Sequence, residues 1–157
     1  MTGDVVTVER VIPAPPKAIF DLLADASRHP DIDGSGTVKR AKPDAPHRLS
    51  KGETFGMSMQ LGIKYSTLNT VIEFEEDRRI AWQTHASGFL SKIAAGRIWR
   101  YELEPVEGGT RVTESWDISE DHQRFLLRLG RLPKKTQANM ESTLERIEQL
   151  TTTADAS

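Results

Sequence analysis

From Gly36 to Ile118 the apolar residues recur at every second position, in stretches separated only by short turn signals. Side chains on a strand alternate between two faces, so a sustained period of two commits this part of the chain to a sheet with one buried face. The predicted strands are residues 37–42, 53–61, 64–76, 79–86, 96–104 and 110–118. Between them lie Pro43 to Pro46, Gly62, Asp77, residues 87–95 and the pair Gly108-Gly109. Connections this short favour antiparallel hairpins over crossovers.

The flanks add helices. Residues 4–12 predict a further strand, with Val6, Val8 and Ile12 on one face. Pro13-Ala14-Pro15-Pro16 ends it and opens a helix, because proline is tolerated in a first turn. Ile19, Leu22, Leu23 and Ala26 then form one stripe at i, i+3, i+4 and i+7. The stretch RHPDIDGSG is turn-forming, with a short helical turn before Gly34. After Ile118 a mixed segment runs to Pro133, and a long helix is expected over 134–150. Thr136, Met140, Leu144, Ile147 and Thr151 share one face of it. The order is strand, two short helices, a meander of strands, long helix. It predicts an α+β fold in which a curved antiparallel sheet of about seven strands packs around the C-terminal helix. A single domain over 1–150 is expected, followed by a small, polar, frayed tail over 151–157.

Several function classes are disfavoured. The absence of cysteine removes disulfides, thiolate metal ligands and cysteine nucleophiles, and fits a cytoplasmic setting. A net charge of −2 offers no basic surplus to neutralise phosphates, so nucleic acid is not an expected partner. No apolar run approaches the ~20 residues of a membrane-spanning helix, and Asp4, Glu9 and Arg10 interrupt any signal-peptide core. The G-x-S-x-G elbow, the P-loop and the dinucleotide fingerprint are absent. Asp31-Ile32-Asp33-Gly34-Ser35-Gly36 looks like the opening of a calcium loop, but Lys42 stands where the bidentate glutamate belongs. Neither His29, Asp31 and Asp33 nor Glu120, Asp121 and His122 finds a further ligand at metal-site spacing. No metal and no cofactor are expected.

The strand faces carry the interest. Phe55, Met57, Met59 and Leu61 share one face, and Trp82, Thr84 and Ala86 another. Trp99, Tyr101 and Leu103 alternate in the next strand, and Val112, Glu114, Trp116 and Ile118 in the last. One helix, offering Met140 and Leu144, cannot fill the concave side of such a sheet. Either bulky side chains close the gap or a cavity remains. Glu114 shares the face of Val112 and Trp116. There its carboxyl would lose water, its pKa would rise, and it could shuttle a proton or anchor a ligand hydroxyl. The plainer alternative is an ion pair with an arginine, or a bulge that turns it outward. Tyr65, Thr67 and Asn69 alternate on the strand over 64–76, where Leu68, Thr70, Ile72 and Phe74 compete for the inward face. Thr84 and Tyr101 supply further hydroxyls. His29, before a proline, reads as a loop cap.

The segment VERVIPAPPKAIFDLLADASRHPDIDGSGTV resembles the opening strand and helix of the START-like superfamily, and more narrowly the polyketide cyclase/dehydrase and lipid-transport family. FEEDRRIAW, GRIWRYELEPVEGGTRVTESWDI and ANMESTLERIEQL fit the later turn, hairpin and helix of that family. The resemblance covers nearly all of residues 4–150. It implies a helix-grip fold with a pocket for an apolar or amphipathic ligand, and it carries no fixed catalytic motif.

In an antiparallel meander the ends of alternate strands share one edge. Ile63, then Phe89, Leu90 and Ile93, then Phe125 and Leu129 fall on connections at that edge, and together they suggest a gate. Arg124, Arg128 and Arg131 lie beside Phe125, Leu126, Leu129 and Leu132 at helical spacing. This basic-amphipathic piece could touch an anionic membrane transiently; alternatively its apolar residues pack on the body with the arginines in water. The leading functional expectation is binding or carriage of a small hydrophobic ligand: a lipid, an isoprenoid or a polyketide-like molecule. A cyclase or dehydratase using Glu114 with Tyr101 is the second, and a protein-interaction module the third. No pattern specifies an oligomeric state.

Overall fold

The computed structural model describes residues 3–41, 48–86 and 95–155. Strand β1 (Val5–Ile12) leads into helix α1 (Pro16–Leu23), a single 3-10 turn (Ala26–Arg28) and the short helix α2 (His29–Ile32). Six strands follow: β2 (Val38–Ala41), β3 (Thr54–Leu61), β4 (Ile63–Glu75), β5 (Arg79–Ala86), β6 (Ala95–Val106) and β7 (Gly109–Asp117). Helix α3 (Arg124–Leu127) and the long α4 (Leu132–Asp155) complete the chain. All strands join one antiparallel sheet in the order β1-β7-β6-β5-β4-β3-β2, curled around α4. This is the α+β helix-grip arrangement.

Local chemistry explains the elements. Pro15 and Pro16 fix the backbone at the start of α1, whose Ile19, Phe20, Leu22 and Leu23 are buried. Phe20, absent from the sequence stripe, reaches the core by meeting Phe74 edge-on at 5.3 Å. Met140, Leu144 and Ile147 of α4 are buried in the main core with Val6, Val8 and Ile12 of β1. Arg10, inside the parity run of β1, reaches Glu148 of α4 at 2.6 Å and clips the helix to that strand. Helix α4 is longer at both ends than its apolar pattern indicates. The stretch from Thr151 expected as a frayed tail continues the helix to Asp155, because the Thr151 hydroxyl donates to the Ile147 carbonyl and the side chain is buried.

A slip in β4 and a close approach at Gly34 shape the inward surface. In β4 the pairing with β5 slips between Val71 and Glu73. A bulge inserts a residue and reverses the parity beyond it. Tyr65, Thr67, Asn69 and Val71 therefore face the concave side, yet Phe74 joins the core as well. The competition between the two faces of this strand is settled by both winning, one on each side of the bulge. Gly34 is the second point. A Cβ there would lie 2.4 Å from the Asn139 carbonyl oxygen and 2.6 Å from the Thr143 nitrogen, so only glycine lets the turn after α2 lie against α4. Its N–H donates to the Thr143 hydroxyl at 2.9 Å. Asp33 organises the same turn by accepting from the backbone N–H groups of Ser35 and Val38. The calcium-like sequence is a turn.

Candidate functional site

The register of the sheet builds the site in rows. Trp82, Trp99 and Trp116 stand directly opposite one another across β5, β6 and β7, with Val6 of β1 next in line. The adjacent row holds Ile80, Tyr101, Glu114 and Val8. On the other side, Phe55, Asn69 and Thr84 are opposed across β3, β4 and β5. Between these rows and α4 lies a cavity of about 370 Å³. That volume falls at the lower end of the ~300–1,000 Å³ usual for small-molecule sites.

Phe55, Met57, Met59, Thr67, Asn69, Trp82, Thr84, Trp99, Tyr101, Glu114 and Trp116 line the cavity from the sheet, and Met140 from α4. Leu144 does not; it is buried one turn further along α4, in the main core. Several wall residues carried no ligand-binding expectation. His29 and Ile32 come from α2, Asp33, Ser35 and Thr37 from the turn that follows, and Thr136, Asn139 and Thr143 from α4. The turn after α1 brings the first group in, and no periodicity in the sequence reports that approach. The α4 residues had a signal: Thr136, Met140 and Thr143 share a face at i, i+4 and i+7.

The polar groups fall into two sets. Glu114 is only 2% exposed; its Oε1 accepts the Tyr101 hydroxyl proton at 2.8 Å, and its Oε2 is buried without a hydrogen-bond partner. Burial pushes its pKa up from 4.5 to about 8, against the smaller opposing effect of the Tyr101 hydrogen bond. The carboxyl is therefore protonated at neutral pH, with one oxygen buried and unsatisfied in a residue that lines the cavity. Burial likewise raises the Tyr101 hydroxyl well above its usual value, so the pair is neutral. Neither the ion pair nor the outward turn considered for Glu114 occurs.

The second set centres on Asn69, whose side-chain nitrogen donates to the Phe55 carbonyl while its oxygen accepts the Thr84 hydroxyl at 2.6 Å. His29 lies beside it, stacked on Trp82 at 4.8 Å and edge-on to Phe55 at 5.3 Å. One ring nitrogen, Nε2, is 2.8 Å from the Leu23 carbonyl, and burial lowers the pKa. The ring is thus neutral with Nε2–H donating, which agrees with a capping role and adds a place on the cavity wall. Arg97 lines the cavity edge, paired at 3.0 Å with the buried carboxylate of Asp121.

Of the expected gate, Phe89, Leu90 and Ile93 lie outside the described residues. Ile63 opens β4 opposite Leu61. Phe125 and Leu129 project into water, and Leu127 between them is the residue that packs inward and lines the cavity. Leu132 and Lys135 also line it while remaining exposed, so the cavity reaches the surface at the start of α4. Among the described residues no three histidine, cysteine, aspartate or glutamate side chains converge as a metal site would require, and no helix is long and apolar enough to cross a membrane.

A curled seven-stranded sheet gripping a terminal helix across a lined cavity defines a helix-grip protein. Within that class, the chain belongs to the polyketide cyclase / dehydrase and lipid transport family, whose model matches residues 4–151. The uncharacterized protein Rv0088 of Mycobacterium tuberculosis is 30% identical over 143 residues, a match covering 87% of this chain and 59% of that relative. The fold is shared with CV1439 of Chromobacterium violaceum (TM-score 0.73, 15% identity, 94% of this chain and 96% of that one). It is shared also with NE0264 of Nitrosomonas europaea (TM-score 0.70, 18% identity, 98% and 97% covered). DynU16, from the dynemicin biosynthetic locus, has the same fold over 46% of its own chain and 94% of this one (TM-score 0.66, 14% identity). Family and fold together suggest a hydrophobic ligand-binding role.

Proposed function

We propose that the protein binds and carries a small, mostly apolar molecule bearing an oxygen function, of lipid, isoprenoid or polyketide type. One observation carries the reading: a neutral carboxyl group, Glu114, buried with one oxygen left without a partner, in a residue that lines a cavity panelled by tryptophan and methionine. A buried polar atom without a partner costs ~1–3 kcal/mol, and a ligand oxygen seated there would remove that cost. The tryptophan and methionine walls supply the non-directional part, at ~25 cal/mol per Å² of apolar surface removed from water. A side-chain-filled interior would have favoured an interaction module; the open volume supports a ligand.

The purified protein is titrated with an environment-sensitive naphthalene probe, and candidate ligands then compete for the site. Saturable one-to-one binding is expected, with Glu114→Gln weakening a hydroxylated or keto-bearing competitor about tenfold, the worth of one buried hydrogen bond. Failure of the probe to bind, or displacement that ignores the Glu114 substitution, would refute this reading.

A second reading has its own support. A protonated carboxyl hydrogen-bonded to a phenol is a ready proton donor, which a cyclase or dehydratase acting on a bound carbonyl compound requires. The two separate by magnitude. Loss of a general acid lowers turnover by ~10²–10⁴, far beyond the tenfold binding change.

A further inference from the structure

Four of the six large apolar side chains exposed among the described residues crowd onto residues 124–135: Phe125 at 70%, Leu126 at 61%, Leu129 at 63% and Leu132 at 38%. The same stretch holds Arg124, Arg128, Arg131, Lys134 and Lys135 and no acidic residue, in a chain whose net charge is −2. Packing on the body, the plainer reading of this piece, is met by Leu127 alone. Gly130, at φ +61, makes the corner between α3 and α4 from which the other apolar groups project. Arg128 is tied to Asp4 at 3.2 Å, and Arg124 lies over the Phe125 ring while donating to the Ser119 carbonyl. Arg131, Lys134 and Lys135 make no ion pair among the described residues, so their charge is available.

We propose that this corner docks on an anionic lipid surface, with Phe125, Leu126 and Leu129 entering the headgroup layer and Arg131, Lys134 and Lys135 meeting lipid phosphates. The charge pattern selects that occupant. Four side chains fall far short of the ~800 Å² per partner that a specific protein interface buries. Three cations without an ion pair among the described residues, Arg131, Lys134 and Lys135, also repel a second copy of themselves. An anionic bilayer rewards both features at once, since it accepts isolated apolar side chains and offers phosphates in any geometry. Leu127, Leu132 and Lys135 belong to the cavity wall, so docking here sets the cavity mouth against the bilayer. The docking itself does not depend on what the cavity holds.

Sedimentation with phosphatidylcholine vesicles, with and without phosphatidylserine, tests the proposal at low and high salt. Binding is expected only with the anionic lipid and should weaken with salt. Arg131→Gln with Lys134→Gln should lower it about 25-fold, at about fivefold per charge, the equivalent of ~1 kcal/mol each. Phe125→Ser with Leu126→Ser and Leu129→Ser should remove what survives high salt. These side chains are exposed or unpaired, so both variants should keep the parent melting temperature and probe binding. Absence of wild-type binding to anionic vesicles, or equal binding by all three proteins, overturns the proposal. So does a concentration-dependent dimer that the serine variant abolishes, which would assign the patch to a second copy.

Discussion

Glu114 makes a quantitative claim about how folding depends on pH. Its carboxyl titrates near 4.5 in the unfolded chain and at about 8 in the folded one. Between those values the folded state holds a proton that the unfolded state has released. Stability therefore falls as pH rises, by ~1.4 kcal/mol per pH unit for one such group. The sign is opposite to that of a carboxylate in an ion pair. This group's contribution is fully present below about pH 4.5 and gone above about pH 8. From pH 5.5 to 7.5 the loss comes to ~2–3 kcal/mol, and relaxation around a buried charge can only reduce it.

Urea denaturation of the wild type and Glu114→Gln across that range is the assay. The amide is neutral at every pH, keeps an oxygen to accept from Tyr101, and should flatten the difference curve. The wild-type midpoint should fall by about 1 M urea relative to the variant between pH 5.5 and 7.5, taking ~2 kcal/mol per M as the slope. His29 also titrates here with the reverse sign, since its lowered pKa costs stability as pH falls below 6.5. It is present in both proteins and cancels in the difference. Near pH 7.5 the variant should match or exceed the wild type, despite the extra N–H it leaves unpaired. Parallel curves for the two proteins would show that Glu114 is ionised and solvated in the folded state. The account of the cavity's polar anchor would then fail.

Other outcomes follow from the same geometry. Ligand affinity should decline above about pH 8, as Glu114 loses the proton it can donate; isothermal titration from pH 6 to 9.5 reads this directly. Gly34→Ala should destabilise the fold by ~2–3 kcal/mol in thermal melts, because the clash is with the α4 backbone and cannot be relieved by a rotamer change. Trp82→Ala should cost ~3–5 kcal/mol through the void it opens and the His29 stacking it removes; a larger apolar probe should then bind relatively better. Asp121→Ala should cost ~3 kcal/mol, leaving Arg97 without its partner, and should increase hydrogen exchange at the Gln123 amide that Asp121 also holds.

What could be read from the sequence divides along a physical line. Strand existence and face parity follow from a period of two. Phe55, Met57, Trp82, Trp99, Tyr101, Glu114 and Trp116 can therefore be assigned to one side of the sheet without coordinates. Register is a property of pairs of strands, and single-strand patterns do not contain it. That Tyr101 stands opposite Glu114, and Asn69 opposite Thr84, depends on turn lengths and on the slip at Val71. Those pairings turn separate polar residues into two hydrogen-bonded sets. His29 and the α2 turn were less legible still. They reach the cavity through the approach to α4 that Gly34 permits, a contact between segments far apart in the chain.

The same division explains why Glu114 can sit where it does. A carboxyl group on a strand surrounded by Val112, Trp116 and Ile118 contradicts the local pattern, and such a contradiction persists only where the surrounding structure holds it in place. Here β1 covers one flank of Glu114 with Val8 and β6 supplies Tyr101 on the other, so the strand cannot rotate the carboxyl to water without breaking two ladders. The Tyr101 hydrogen bond satisfies one oxygen and leaves the second buried without a partner. A purely structural polar pair could have been replaced by two apolar residues at little cost. Leaving one oxygen of Glu114 unsatisfied makes folding weaker, a cost that the proposed ligand-binding role would offset.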